Sequence, residues 1–189
     1  MKRPGRQSPP ALSLCALGLL ALLAAPGAVM AHSASDAYLT LNTDTAGSAA
    51  PESAGKASIH GQWDIALRDL DFVLKLDSNG DGRITWGEVR HRTTDIESYA
   101  YPYLEFDGGP HNPCAVKPRK QMIDDHADGA YAALFFDVIC RAPPKKLTMS
   151  YHLFFAIDPS HRGIFVMNTG ANVSTALLAP DHEKIDLVF

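Results

Sequence analysis

The sequence lacks the local motifs that mark the common hydrolases and nucleotide-binding enzymes. It contains no Gly-x-Ser-x-Gly turn, no His-Glu-x-x-His pair and no phosphate-binding loop. Ser150 and His152 stand two residues apart, but alternate residues of a strand share one face, so their spacing alone does not indicate a nucleophile and its base. We therefore expect no catalysis.

Long apolar runs are also scarce, and the one that exists lies near the N-terminus. Ala11 to Ala25 is apolar but short for a membrane span, and it follows the basic residues Lys2, Arg3 and Arg6. Pro26 and Gly27 end the run, before the small-residue sequence that finishes at Ala31. This order predicts a secretory signal peptide over residues 1–31, cleaved after Ala31, with an uncleaved signal anchor as the alternative.

Positively charged residues are outnumbered by acidic ones after the predicted signal peptide, residues 1–31. Residues 32–189 keep 14 lysines and arginines against 21 aspartates and glutamates, so the formal net charge moves from −4 to −7. That balance argues against nucleic acid and anionic membranes as partners. No second apolar stretch approaches spanning length, and we expect residues 32–189 to form a single periplasmic or secreted domain.

Cysteine is rare, and no Cys-x-x-Cys spacing occurs among the three cysteines. Cys15 lies inside the leader, which leaves Cys114 and Cys140 for the exported domain. An even pair in an oxidising compartment predicts a disulfide, while two free thiols or a metal pair remain as alternatives.

Short β-forming segments occupy most of the chain. They alternate in polarity or are rich in strand formers, and Gly, Pro and Asp turns separate them. We expect an α+β fold, mainly an antiparallel β-sandwich, with strands at Ala37–Asn42, Ala57–Gln62, Tyr103–Phe106, Ala115–Ile123, Ala130–Val138, Lys146–Ala156, Gly163–Met167, Val173–Leu177 and Lys184–Phe189. The acidic segment Asp124–Gly129 is predicted to be a hairpin tip.

One twelve-residue stretch, Asp77–Glu88, combines acidic residues and glycine in a spacing with a known mechanism. It reads DSNGDGRITWGE and matches all five fixed positions of the pattern D-x-[DN]-x-[DN]-G-x5-E. That pattern is typical of an EF-hand, a loop that surrounds Ca²⁺ with oxygen ligands from positions 1, 3, 5, 7, 9 and 12. The corresponding residues are Asp77, Asn79, Asp81, Arg83 through its backbone carbonyl, Thr85 and Glu88. Gly82, the sixth residue, allows the sharp turn.

The segments on either side of this loop have helical periodicity. Before it, apolar residues recur at helical spacing over Asp64–Leu76, with Asp64 as the expected N-cap. After it, Val89 and Ile96 begin a rougher stripe, which Thr93 and Thr94 make harder to delimit. We expect an EF-hand helix–loop–helix inserted at about residues 64–101, between the second and third strands.

With these residues identified, the chain resembles a known bacterial arrangement. The stretches AHSASDAYLTL, GQWDIALRDLDFVLKLDSNGDGRITWGEVRHR, DGAYAALFF and DPSHRGIFV are similar to the EF-hand-containing periplasmic N-terminal region of HupE/UreJ-like membrane proteins. In that family the soluble region commonly precedes several transmembrane helices. The resemblance therefore implies a membrane-protein or other protein partner, which the sequence leaves unidentified.

Two functions from different classes follow. The first is an exported protein that binds calcium at a single EF-hand loop, where the ion is structural. The second is a periplasmic protein that binds or delivers copper or nickel through His32, the first residue after the expected cleavage site. His60, His126, His152 or His161 would complete that second site, since imidazole nitrogen suits these metals.

Overall fold

Strands dominate the part of the chain that the computed structural model describes, which comprises residues 35–43, 59–170 and 172–188. All of these residues belong to one compact unit, Ser33–Phe189. The predicted signal peptide, its cleavage site and His32 lie outside the described residues. The strands are β1 Asp36–Thr43, β2 Ile59–Ala66, β3 Leu104–Asp107, β4 Cys114–His126, β5 Gly129–Cys140, β6 Lys146–Tyr151, β7 Arg162–Asn168, β8 Val173–Leu178 and β9 Lys184–Val188.

The strands form two sheets. A six-stranded sheet has the order β4-β5-β2-β1-β7-β8, and a three-stranded sheet has the order β3-β6-β9. Every neighbouring pair is antiparallel except β1 and β7, which run parallel. The predicted β-rich, mainly antiparallel architecture is therefore confirmed, as is the hairpin tip, where His126 pairs with Gly129.

The two sheets share one hydrophobic core, to which β1 contributes alternate side chains. In β1, every second residue is buried (Ala37, Leu39 and Leu41), because successive side chains of a strand point to opposite faces. Aromatic side chains join the sheets: the ring of Trp63 in β2 lies 5.7 Å from that of Tyr151 in β6. One hydrophobic cluster thus includes residues of both sheets.

Cys114 and Cys140 are bonded to each other. Cys114 begins β4 and lies directly opposite Cys140, the last residue of β5, and their sulfur atoms form a disulfide. This confirms the predicted pair. With 26 residues of sequence separation, the bond stabilises the fold by about 3–4 kcal/mol on the chain-entropy account.

Three helices lie between β2 and β3: α1 Leu67–Leu74, α2 Trp86–His91 and α3 Thr93–Ala100, followed by a 3₁₀ turn at Tyr101–Tyr103. Buried apolar residues of this segment join the core of the sheets (Leu67, Leu70, Leu76, Val89, Ile96 and Ala100). The helical insertion therefore packs against the β domain rather than standing apart from it.

The predicted helix start at Asp64 is wrong. Asp64 belongs to β2, where it pairs with Tyr38 of β1 on one side and Ala133 of β5 on the other. Backbone pairing to two strands overrides the local helical periodicity, and the helix starts at Leu67 without a side-chain cap. The second predicted helix is divided at Arg92, whose ψ of 14° interrupts the regular backbone before the two threonines.

Candidate metal centre

Hydrogen bonds to Asp71 of α1 define how the chain leaves this helix and enters the loop between α1 and α2. Lys75 ends α1 in the left-handed conformation, with φ of 54°, and its N–H donates to the carbonyl of Asp71. The Asp71 carboxylate in turn accepts a hydrogen bond of 2.9 Å from the N–H of Asp77. Leu76, between these residues, is fully buried. The backbone N–H of Asp77, the first residue of the predicted calcium loop, is therefore tied to α1.

Side-chain oxygens of the loop accept hydrogen bonds from the loop's own backbone N–H groups. The Asp77 carboxylate accepts hydrogen bonds of 2.8 Å from the N–H of Gly80 and from the N–H of Gly82. The side-chain oxygen of Asn79 accepts from the N–H of Asp81 at 2.9 Å, and the Asp81 carboxylate accepts from the N–H of Arg83 at 2.8 Å. Each of these oxygens therefore faces the loop's own backbone, two to five residues ahead.

Two glycines make the turn that these contacts require. Gly80 has φ of 71° and Gly82 has φ of 77°, both in the left-handed region that costs a side-chain-bearing residue energy. Open space surrounds the Cβ position of each glycine, so backbone conformation and not crowding explains them. Gly82 is the glycine that the loop pattern predicted.

Glu88 connects the end of the loop to its beginning. One carboxylate oxygen accepts from the N–H and the hydroxyl of Thr85, and the other accepts from the N–H and the hydroxyl of Ser78, all at 2.9 Å. Thr85 caps α2 in return, forming a reciprocal capping box. These hydrogen bonds, that from the Thr85 N–H first, lower the pKa of Glu88 to about 2, so the side chain is an anion at neutral pH.

The loop thus presents an all-oxygen donor set suited to a hard cation. Its side chains offer three carboxylates, Asp77, Asp81 and Glu88, and the amide oxygen of Asn79, with the carbonyl of Arg83 available between them. The three carboxylates do not converge within 4.8 Å in the described structure, because Glu88 engages Ser78 and Thr85 instead. The residues fit Ca²⁺ by chemistry and spacing, and binding would exchange the Glu88 contacts for coordination.

The histidines named for the alternative copper or nickel site lie apart from one another. His60 pairs with Asp137 at 2.6 Å, and His152 pairs with Glu183 at 3.3 Å. His161 is buried and forms hydrogen bonds of 2.7 Å with the hydroxyls of Ser35 and Tyr151. His126 has a different neighbour, Asp64. These four residues do not assemble one site.

A group that the sequence did not indicate does converge. Asp64, Asp124 and His126 place one ligand atom each within 4.8 Å of the others, the one such group of three found among the described residues. Asp124 and His126 alternate on β4, a spacing visible in the sequence, but Asp64 joins them only through the strand order.

Comparison with known proteins identifies no family for this chain. It matches no protein-family profile and no curated protein sequence. Within the described residues, no helix has the length and apolar character needed to cross a membrane.

Proposed function

We propose that this chain is an exported calcium-binding protein whose single EF-hand loop, Asp77–Glu88, holds a structural Ca²⁺ ion. The observation that carries the proposal is the inward arrangement of the side-chain oxygens of Asp77, Asn79 and Asp81 around a turn made by Gly82. A polar turn between two helices needs no such series of side-chain oxygens.

Calcium would act here by linking elements rather than by supporting a reaction. Asp77 follows α1, and Glu88 lies in the first turn of α2, so one ion held by both residues restrains the two helices. Both helices pack on the β domain through buried residues such as Leu70 and Val89. Extracellular modules of this kind bind Ca²⁺ at about 10⁻⁴–10⁻³ M, and we place this loop in that range.

The predicted leader and the disulfide together support an exported location. A secretory leader over residues 1–31 delivers the chain to an oxidising compartment, where the Cys114–Cys140 bond is stable. The resemblance to the periplasmic region of HupE/UreJ-like proteins supports the same compartment and a membrane-protein partner. N-terminal sequencing of the exported protein should start at His32, and a start at Met1 would contradict the proposed cleavage.

The calcium proposal is tested by thermal unfolding of residues 32–189 in EDTA and in a series of millimolar CaCl₂ concentrations. The Tm of the wild type should rise with Ca²⁺, since a ligand at ten times its Kd stabilises the fold by about 1.4 kcal/mol. Glu88→Gln should abolish that rise, because a neutral amide cannot supply the bidentate carboxylate.

Glu105→Gln is the matched control, because Glu105 is an exposed glutamate on β3, outside the loop. It should keep the full response to Ca²⁺. The proposal is wrong if the wild type does not respond, or if Glu88→Gln responds as the wild type does. Mg²⁺ should have a weaker effect, since it keeps its water and demands octahedral geometry.

A further inference from the structure

The outer face of the six-stranded sheet carries a group of polar residues that the calcium loop does not use. β5 lies between β2 and β4, and Ala133 of β5 pairs with Asp64 on one side and with Met122 on the other. Asp124 and His126 follow Met122 at alternate positions, so their side chains leave the sheet on the same face as Asp64.

The distance between His126 and Asp64 is compatible with two ligands of one metal ion. Nε2 of His126 lies 3.5 Å from a carboxylate oxygen of Asp64, beyond the usual 2.7–3.2 Å of an N–H···O hydrogen bond. Two ligands at the usual zinc distances, on neighbouring corners of a tetrahedron, are about 3.3–3.6 Å apart. The Asp124 carboxylate completes a set of three ligand atoms within 4.8 Å.

Neighbouring side chains hold these ligands in position. The amide of Gln62 donates to both carboxylate oxygens of Asp64, at 2.9 and 3.1 Å. The His126 imidazole stacks on Tyr131, with ring centroids 4.2 Å apart, and contacts Tyr38 at 4.8 Å. Such supporting contacts orient metal ligands and limit the entropy lost when the ion binds.

The burial of Asp64 supplies a reason for a cation. Asp64 is 7% exposed although it lies on the outer face of the sheet. Gln62 satisfies hydrogen bonds there without bringing positive charge, and the His126 imidazole at 3.5 Å is a cation only when protonated, so a bound metal ion would compensate the buried carboxylate. Asp124 is exposed and forms part of an open cleft with Asp125 and Asp128, which gives an ion access from solvent.

We propose that Asp64, Asp124 and His126 form a second metal site, independent of the calcium loop, that binds a divalent transition metal ion of the Zn²⁺ class. One imidazole nitrogen and two carboxylates, with no thiolate, are ligands for Zn²⁺, whereas Ca²⁺ takes oxygen alone. Three protein ligands leave a fourth position for water.

The test is isothermal calorimetry of residues 32–189 with ZnCl₂, in buffer that contains saturating CaCl₂ so that the loop does not compete. We expect one zinc ion per chain at this site. Asp124→Asn should weaken zinc binding by about tenfold or more, and His126→Ala by a similar factor. Because Asp124 is exposed, its variant should keep the metal-free Tm of the wild type, which separates loss of a ligand from loss of the fold.

Asp125→Asn is the matched control, since Asp125 lines the same open cleft as Asp124 but does not belong to the group of three converging ligand atoms. It should bind zinc as the wild type does. His60→Ala removes an imidazole elsewhere on the sheet and should also leave binding unchanged. The site is disproved if the wild type takes up no zinc in the presence of calcium, or if Asp124→Asn and Asp125→Asn bind it equally well. Co²⁺ substituted for zinc should give the absorption bands of a four-coordinate site in the wild type and lose them in His126→Ala.

Discussion

Arg92 donates a hydrogen bond of 2.9 Å from Nη2 to the backbone carbonyl of Leu74, the last residue of α1. Its Nη1 atom donates to the carbonyl of Lys75 at 3.1 Å. The last carbonyls of a helix have no partner within the helix, and a positive charge there also favours the helix dipole. Arg92, which follows the loop, thus caps the C-terminus of α1, which precedes the loop. These hydrogen bonds join the two ends of the loop without a metal ion.

Arg92→Ala should destabilise the protein by about 1–2 kcal/mol, because two carbonyls lose a charged donor. Urea denaturation in EDTA measures the change. Arg90→Ala, at an exposed position on α2, is the control and should change the free energy of unfolding by less than about 0.5 kcal/mol. Equal losses in the two variants would show that the contact with Leu74 contributes nothing.

Lowering the pH should remove the stabilisation that the ionised Glu88 side chain gives to the metal-free protein. Its hydrogen bonds lower the pKa of the carboxyl group from an ordinary value of 4.5 to about 2, so the folded state favours the anion. The stabilisation from these hydrogen bonds is then complete above pH 4.5 and is lost as the pH falls towards about 2. The free energies of unfolding of the wild type and Glu88→Gln should approach each other over this window. A carbon-13 NMR titration should place the Glu88 midpoint near 2, and a midpoint near 4.5 would refute the hydrogen-bond geometry.

His161 should remain neutral well below the pH at which an exposed imidazole charges. Burial lowers its pKa from 6.5 to about 4. The unfolded chain takes up this proton near pH 6.5 and the folded chain does not, so the fold loses stability as the pH falls from 6.5 to 4. Nitrogen-15 NMR of the imidazole should show the neutral form at about pH 5, between those two values. A protonated ring at that pH would contradict its buried contacts with Ser35 and Tyr151.

Gly61→Ala should destabilise the sheet by about 1–3 kcal/mol through overpacking. An added Cβ on β2 would lie 2.1 Å from the ring of Phe136, which must then move within the core. Gly87→Ala is the control, since its Cβ would meet nothing nearer than the Thr85 hydroxyl at 3.7 Å, and alanine favours the helix. Chemical denaturation compares the variants, and similar stability for both would show that the core accommodates the extra methyl group.

The sequence predicted best the features whose contacts are local. The hydrogen bonds of Asp77, Asn79 and Asp81 span two to five residues, so a twelve-residue pattern contains all the information that they need. Several strands were predicted for a similar reason, because alternate burial leaves a period of two along segments such as β1 and β7. Even so, β6 ends at Tyr151, short of the predicted Ala156, since the chain turns at Phe154 with φ of 61°.

Features that depend on distant pairing were missed. Asp64 looked like a helix cap because its local surroundings are helical, but β1 and β5 hold it in a ladder. The same ladder brings Asp64 to Asp124 and His126, although 60 residues separate the two aspartates. No local pattern reports the order of strands in a sheet, so neither the helix start nor this group could be read from spacing.

The parallel pairing of β1 with β7 has a consequence for the order in which the molecule can fold. β1 lies between β2 and β7, and 126 residues separate its Asn42 from Asn168 of β7, to which it is hydrogen-bonded. A ribosome that adds 5–20 residues per second needs about 6–25 s to synthesise that interval. Until then one edge of β1 has no partner, and contacts of such large sequence separation also slow folding itself. Any partly folded form of the domain therefore leaves that edge of β1 open, and within reach of chaperones, until β7 pairs with it.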